Sequence, residues 1–292
     1  MQHQLATFLE FLQEERQYSD NTIAAYRNDL GQFITFLEQK YPSIASFNDV
    51  TADVVNHYVK DMKTEKRYAS SSVARKVAAI KSFFHHLFAH SQITQDPTQD
   101  TDSPKVEKRL PTTLSIDEVD RLLEAPTRKQ TPKHFRDSAL LILLYATGMR
   151  VTEAVSLDLS DLDLERNLLV CPSKDGEDRV LPFDDEASLQ LKQYLEEGRP
   201  HLAKGKDDSA LFLNHRGQQL TRQGLWLIIK AYAKEANLGN EVTPHTLRHS
   251  FAAHKLRTGT DLQEVQQLLG HANISTTQIY THLAEEETPE AN

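Results

Sequence analysis

The sequence predicts a mainly α-helical protein that carries a small antiparallel sheet and divides into two domains. In the first hundred residues, apolar side chains recur at three- and four-residue spacing, which is the period of amphipathic helices. A stretch rich in proline and polar residues then interrupts this pattern. Further along, two short apolar runs joined through an Asp-Gly pair stand between helical segments, as strands of a hairpin do.

Four amphipathic helices account for the first domain. The second helix follows the capping cluster Ser19-Asp20-Asn21, the third starts after Thr51 and the fourth after Ser70. No alternating strand pattern competes with this interpretation. The apolar stripes of the four helices span residues 5–12, 23–37, 54–62 and 73–87.

The boundary between the domains is expected where the apolar pattern lapses. Pro97, Pro104 and Pro111 occur there among Asp, Thr, Gln and Lys, a composition typical of an exposed interdomain linker. We therefore expect an N-terminal helical domain over residues 1–93, a linker over 94–111 and a second domain over 112–292.

The second domain begins with helices and then changes character. Ser115 and Glu118 form the sequence signature of a capping box, and residues 137–146 hold the apolar core of another helix. Residues 168–171 and 179–181 are expected to form a hairpin through Asp175-Gly176. Helices return from Asp184 to about Tyr280, with a short strand expected at 211–213.

The charge of the chain gives a mixed indication about nucleic acids. A formal net charge of −9 counts against phosphate binding, which depends on Lys and Arg. The turn between the third and fourth helices is nevertheless locally basic and is a candidate DNA-facing stripe, although composition alone is equally compatible with a solvated helix surface. This basic stripe consists of Lys60, Lys63, Lys66, Arg67, Arg75, Lys76 and Lys81.

Other sequence features exclude several classes. No apolar run approaches the roughly 20 residues of a membrane span, and the N-terminus lacks the basic segment of a signal peptide, so a cytoplasmic protein is expected. Cys171 is the single cysteine, and its apolar neighbours indicate a small buried side chain without a chemical role.

Several segments in the second domain carry residues suited to phosphate chemistry. Arg150 follows a helix that ends at Gly148, and Lys174 precedes the Asp-Gly turn, where it could donate a proton to a departing oxygen. His245 and Arg248 lie three apart in the first turns of a helix that Thr243 and Pro244 begin. Taken singly, each signal is weak.

The histidines allow two other interpretations. His245, His249 and His254 could be zinc ligands, but neither the His-Glu-x-x-His pattern nor a nearby cysteine is present, so no metal is expected. For His249 and His254 we expect packing or solvent exposure. Further on, Gly270 ends a helix, His271 follows it, and Tyr280 comes nine residues later, where periodicity alone indicates a buried core aromatic.

In order, these residues resemble the catalytic set of the tyrosine recombinases of the phage integrase family, with spacing close to the Xer branch. The set comprises Arg150, Lys174, His245-x-x-Arg248, Leu-Gly-His271 and Tyr280. The flanking sequences are also similar, as in Ala-Thr-Gly-Met-Arg-Val-Thr-Glu-Ala and Pro-His-Thr-Leu-Arg-His-Ser-Phe-Ala. The similarity extends over nearly the whole chain, including a helical N-terminal DNA-clamping domain of the SAM-like kind.

The resemblance implies a site-specific recombinase in which Tyr280 attacks the scissile phosphate and forms a 3′-phosphotyrosine, without a cofactor or metal. Arg150 and Arg248 would neutralise the phosphate, Lys174 would protonate the leaving oxygen, His245 would assist proton transfer, His271 would hydrogen-bond, and Glu153 would orient an arginine. The implied partner is double-stranded DNA with specific inverted half-sites, held by a tetramer of protomers, with a second recombinase or a DNA translocase as a further candidate partner.

Two alternatives stay open at this point. A type IB topoisomerase shares the chemistry but relaxes DNA without exchanging partners, and a non-catalytic DNA-binding relative would keep the fold alone. Twelve residues follow Tyr280, four of them acidic, fewer than the Xer branch usually has for coupling protomers. Chromosome dimer resolution and mobile-element recombination are both compatible with the resemblance.

Overall fold

The computed structural model describes residues 1–102, 111–172, 178–205, 208–239, 241–271 and 273–286. By its contacts the chain divides into two units, Met1–Lys108 and Arg109–Asn292. The structure is mainly helical with one small antiparallel sheet, which confirms the predicted fold class.

The first unit contains the four expected helices. Ser19 accepts a hydrogen bond from the backbone N–H of Thr22 and so caps the second helix, as its sequence indicated. A single 3-10 turn, Phe47–Asp49, precedes the third helix. The four helices are α1 (Gln2–Glu14), α2 (Asp20–Lys40), α3 (Ala52–Thr64) and α4 (Ser70–Ala89).

Aromatic side chains fill the core of this unit. Phe33 packs edge-on against Tyr58 and Phe84, and Phe83 does so against Phe8 and Phe47, with ring centroids 4.9 to 6.0 Å apart. Rings in edge-to-face contact fill volume and gain about 0.5–1.5 kcal/mol per pair beyond area burial. The apolar stripes of all four helices therefore meet in one core.

The second unit is built around a helix that is buried along most of its length. This helix, α6 (Pro132–Thr147), contacts α8 (Asp185–Gln193) and α11 (Pro244–Arg257), and its apolar run Leu140–Leu144 lies in the core. The capping box of Ser115 and Glu118 is present at the start of α5 (Ile116–Glu124). The other helices are α5 (Ile116–Glu124), α7 (Val151–Ser156), α8 (Asp185–Gln193), α9 (Arg199–Ala203), α10 (Arg222–Glu235), α11 (Pro244–Arg257), α12 (Leu262–Leu269) and α13 (Ile279–Glu286).

Three antiparallel strands form the sheet in the order β1 (Leu162–Asp163), β2 (Leu168–Cys171) and β3 (Arg179–Pro182). The expected pairing of β2 with β3 is confirmed, with Leu169 opposite Leu181 and Cys171 opposite Arg179. Leu169 and Leu181 are buried whereas the alternate residues Val170 and Val180 are exposed, so one face of the sheet covers the core. Strand β1, only two residues long, is not predicted by the sequence.

The prediction of a short strand at 211–213 is wrong. The structure has only isolated bridges there, Ala210 with Asp158 and Leu213 with Gln219. The Tyr194 hydroxyl donates to the Leu211 carbonyl at 3.0 Å and accepts from the Leu213 N–H at 3.2 Å. Because the Tyr194 hydroxyl and the backbone of Leu157 and Leu220 satisfy these groups, the apolar run needs no regular strand partner.

Cys171 is buried, as expected, and burial raises the pKa of its thiol to about 11. Among the helices in the described part of the chain, none combines the length and the apolar character needed to cross a membrane.

Candidate active site

Arg150 lies at the junction of two helices. Helix α6 ends at Gly148, whose φ of 60° is left-handed, and α7 begins directly after Arg150. The Arg150 N–H donates to Glu153 Oε2 at 2.6 Å, and its guanidinium donates to Glu153 Oε1 at 2.9 Å and to the Gly270 carbonyl at 2.8 Å. Glu153 therefore caps α7 and fixes the Arg150 side chain, consistent with its expected orienting position.

Glu153 also holds a second arginine, which the sequence analysis did not consider. Arg179, the first residue of β3, donates to Glu153 Oε2 at 3.0 Å. Burial, the largest effect, raises the pKa of the Glu153 carboxyl, but the hydrogen bonds from Arg150 and Arg179 and their charges outweigh it, so the pKa is lowered overall. Glu153 stays ionised between two guanidinium groups.

Arg248 is buried on α11, and its guanidinium donates hydrogen bonds to backbone carbonyls at the C-terminal ends of α6 and α12. Nη1 donates to the Gly148 carbonyl at 2.6 Å, and Nη2 donates to the Leu269 carbonyl at 2.6 Å. Burial, reinforced by the charge of Arg150, lowers its pKa to about 10. Since this value is still well above 7, Arg248 keeps its charge at neutral pH.

The predicted glycine ends of α6 and α12 are confirmed, and both serve the arginines. Gly270 has a φ of 62° and ends α12. Carbonyls at these two ends, those of Gly148, Leu269 and Gly270, accept hydrogen bonds from Arg150 and Arg248. A left-handed turn at each end thus aims carbonyl oxygens at the guanidinium groups.

His271 is neutral and in a defined tautomer. Arg248 Nη2 lies 3.0 Å from His271 Nε2, and a guanidinium can only donate, so Nε2 accepts and the proton is on Nδ1, 2.9 Å from the Thr277 hydroxyl. Burial, then the charges of Arg248 and Arg150, lower the pKa of His271 to about 4. His271 therefore lies inside the arginine cluster as an acceptor for Arg248.

Tyr280 is a core residue and also belongs to this cluster. Its side chain is 2% exposed and packs with Phe251 and Leu283, so α13 lies against α11. Its hydroxyl lies 2.8 Å from Nδ1 of His249, and its ring lies nearly parallel to that of His271 at 6.4 Å. Burial raises the pKa of Tyr280, and the charge of Arg248 opposes this rise.

His245 is exposed in the first turn of α11, with its ring centroid 6.3 Å from that of His249. His249 is half-buried and packs against Tyr280, with Nδ1 in hydrogen-bond contact with the Tyr280 hydroxyl. His254 is buried and lies 2.8 Å from the Tyr145 hydroxyl, as a packed histidine does. Within the described ranges, no group of three or more His, Cys, Asp or Glu residues is arranged to hold a metal ion.

The structure thus brings Arg150, Glu153, Arg248, His271 and Tyr280 together, with His245 at the start of the same helix as Arg248. Lys174, the expected proton donor, lies outside the described residues.

Two site residues escaped the sequence analysis for different reasons. His249 lies four residues after His245, hence on the same helix face, and this spacing could have indicated it. Arg179 lies 26 residues after Glu153 in the sequence, and nothing in the local sequence indicates that the two side chains are in contact.

The basic stripe lies in the first unit and is largely exposed. Lys60, Lys63, Lys66, Arg67 and Arg75 are exposed and Lys81 is half-buried. Lys76 is buried and donates to Asp29 Oδ1 at 2.8 Å and to Gln32 at 2.9 Å. Lys76 therefore belongs to the fold of this unit rather than to its basic surface, whereas Arg75 also pairs with Asp29 from an exposed position.

Comparisons with known proteins cover both units. Residues 112–287 match the phage integrase family, and residues 5–91 match the phage integrase N-terminal SAM-like domain. The chain is 52% identical to tyrosine recombinase XerC of Roseiflexus castenholzii, over 100% of the chain and 93% of the relative. It is 43% identical to tyrosine recombinase XerD of Halalkalibacterium halodurans, over 96% and 92% respectively.

Solved structures show the same architecture. A XerH site-specific recombinase bound to palindromic difH substrate superposes with a TM-score of 0.77 at 20% identity, over 97% of this chain and 92% of that one. The XerA recombinase gives a TM-score of 0.53 at 29% identity, over 99% of both chains. The likeness to XerH concerns the fold alone.

Proposed function

Because the chain belongs to the phage integrase family and is a site-specific tyrosine recombinase of the Xer type, we propose that Tyr280 is its nucleophile. The Tyr280 oxygen attacks the scissile phosphorus, the bond from phosphorus to the 5′ oxygen breaks, and a 3′-phosphotyrosine forms. A 5′-hydroxyl from the partner strand reverses the step. The observation that carries this proposal is the placement of Tyr280 in one cluster with Arg248 and His271.

The arginines supply the electrostatic part of this chemistry. Arg150 and Arg248 neutralise the non-bridging oxygens of the transition state, a role for which planar, permanently charged donors are suited. Glu153 holds Arg150 in place through two hydrogen bonds. With both guanidinium groups already fixed, little reorganisation is needed when the phosphate enters.

Proton transfers complete the balance. Lys174 gives a proton to the departing 5′ oxygen, and the proton that the Tyr280 hydroxyl releases passes to solvent water with the help of His245, at the exposed start of α11. Deprotonating a free tyrosine at pH 7 costs about 4 kcal/mol, and the charge of Arg248 lowers the pKa of Tyr280 against the effect of burial. His271 contributes by fixing Arg248.

For DNA binding we propose two domains, a DNA-clamping domain over residues 1–93 and a catalytic domain over residues 112–292, joined by the linker 94–111. The exposed part of the basic stripe faces phosphates, as its charge supports.

Four protomers on two DNA sites with inverted half-sites carry out strand exchange, with a second recombinase or a DNA translocase as a further partner. Such an enzyme works in the cytoplasm, and the likeness to XerC and XerD favours chromosome dimer resolution over a mobile element.

The first experiment tests the nucleophile. Tyr280→Phe should give no covalent protein–DNA adduct on a nicked suicide substrate, whereas wild type accumulates it. Tyr145→Phe is the matched control, because Tyr145 also contacts a histidine Nδ1 at 2.8 Å on α11. Adduct formation by Tyr280→Phe would refute the assignment.

A second experiment tests Lys174. Lys174→Ala should slow cleavage of a normal substrate but much less that of a substrate with a 5′-bridging sulfur, a leaving group that needs no proton. Equal slowing of both would remove Lys174 from the acid role.

The comparisons favour recombination over topoisomerase activity and over a non-catalytic relative. A two-site recombination assay beside a supercoil-relaxation assay measures that difference.

A further inference from the structure

His249 is the residue in hydrogen-bond contact with the Tyr280 hydroxyl, and none of the roles assigned above uses it. Nδ1 of His249 lies 2.8 Å from the Tyr280 oxygen, and the two ring centroids lie 5.5 Å apart at an interplanar angle of 42°. The contact joins α11, which carries Arg248, to α13, which carries Tyr280. It therefore links the anion-binding helix directly to the attacking atom.

The surroundings of His249 keep its imidazole neutral. Burial, followed by the nearby His245 and Arg248 on the same helix, lowers its pKa to about 4. Tyr280 from α13 and His271 from the segment after α12 also face it. A neutral imidazole has one nitrogen that carries a lone pair, and in the tautomer with its proton on Nε2 that nitrogen is Nδ1, which accepts the hydroxyl hydrogen of Tyr280.

Packing fixes the ring of Tyr280 but not its hydroxyl hydrogen. The ring lies in the cluster with Phe251 and Leu283, whereas an O–H rotor turns to suit its acceptor. Where the hydrogen points decides where the lone pairs of the nucleophile point. An acceptor at a fixed position on α11 thus sets the direction from which the Tyr280 oxygen can attack.

We propose that His249 is a positioning residue for Tyr280, accepting the hydroxyl hydrogen on Nδ1 and so holding the nucleophilic oxygen in register with Arg248 on the same helix. The proposal rests on the proposed role of Tyr280 as nucleophile. His249 acts through orientation and does not need to take up the proton.

Two amide substitutions separate orientation from other roles. An asparagine places its amide near the position of Nδ1, whereas a glutamine places it near Nε2, and neither titrates. His249→Asn should therefore retain cleavage within a few-fold of wild type, while His249→Gln and His249→Ala should cleave about ten- to a hundredfold more slowly. The measurement is the single-turnover rate of covalent adduct formation on a nicked suicide substrate, beside the Kd for the same DNA.

A matched control is available on the same helix. His254→Ala removes a contact of the same kind, between Nδ1 and the Tyr145 hydroxyl at 2.8 Å, and should leave the cleavage rate of the folded protein unchanged while lowering its melting temperature. DNA affinity should be the same for all His249 variants and wild type, and the pH profile of cleavage should be the same for His249→Asn and wild type.

The outcomes are distinct. Slow cleavage by His249→Gln and His249→Ala with rescue by His249→Asn supports the proposal. It is overturned if His249→Asn is as slow as His249→Ala, if the three variants match wild type, or if any of them cleaves faster, which would mean that the contact restrains Tyr280. Failure of the wild-type protein to form a Tyr280 adduct would instead refute the proposed function.

Discussion

Arg248 donates to Nε2 of His271 across 3.0 Å, and this contact fixes the tautomer of the histidine. Because the guanidinium has no acceptor, a protonated Nε2 would face it with a second hydrogen and a second positive charge. Burial, followed by the charge of Arg248, holds the pKa of His271 well below its ordinary range.

This relationship predicts a pH dependence of stability. The unfolded histidine takes up a proton near pH 6.5, but folded His271 does so only near pH 4. Its contribution to the free energy of unfolding is therefore complete above pH 6.5 and falls as the pH drops toward 4, by at most about 1.4 kcal/mol per pH unit. His271→Gln keeps an acceptor for Arg248 without titrating, so its stability should fall less steeply with acid than that of wild type in urea unfolding. Parallel curves would contradict the assignment.

Glu153 should be essential as an anion and not only as a helix cap. Glu153→Gln leaves Arg150 and Arg179 without the carboxylate that lies between them, so we expect a loss of about 1–3 kcal/mol in unfolding free energy and slower cleavage. Glu118→Gln is the control, since Glu118 caps α5 in the same way, accepting the Ser115 N–H at 2.9 Å. Equal cleavage rates for the two variants would show that the charge of Glu153 is dispensable.

A side chain at Gly270 should displace the Arg179 guanidinium. A Cβ there would collide with the Arg179 guanidinium and would lie 3.6 Å from that of Arg150, in addition to the strain of a φ of 62°. Gly259 has a φ of 88° with open space around it, so Gly259→Ala should lose only the left-handed penalty of about 1–2 kcal/mol and keep its cleavage rate. Gly270→Ala should lose more stability and cleave slowly. Urea unfolding and single-turnover cleavage measure both.

The basic stripe should divide into binding and structural lysines. If the exposed Lys63 contacts a phosphate, Lys63→Ala should reduce the slope of log Kobs against log salt by about 0.9 without a loss of stability. Lys76→Met should leave that slope unchanged but destabilise the protein by about 3 kcal/mol, because Asp29 loses a buried partner. A reduced salt slope in Lys76→Met would show that Lys76 reaches DNA.

The difference between these two lysines shows what sequence can and cannot predict here. Helices, capping residues and glycine ends are decided by neighbours within four residues, and Ser19, Ser115 and Gly148 behave as their local sequence predicts. The burial of Lys76 depends on Asp29, 47 residues earlier, and no local pattern indicates such a partner.

The site divides in the same way. The resemblance to the tyrosine recombinases singled out Arg150, Arg248, His271 and Tyr280, each of which is a weak signal when taken singly. The contacts of Arg179 with Glu153 and of His249 with Tyr280 arise only when separate elements pack, and so does the bond from the Tyr194 hydroxyl to the Leu211 carbonyl. Tertiary contacts of this kind have no signature in local periodicity.

The backbone carbonyls that hold Arg150 and Arg248 also have a thermodynamic consequence. An arginine side chain loses about 1.5–2 kcal/mol of conformational entropy when it is immobilised. Here both side chains are tied down by Gly148, Leu269 and Gly270 in the folded protein. That entropy is lost when the chain folds, and it need not be lost again when an anion arrives.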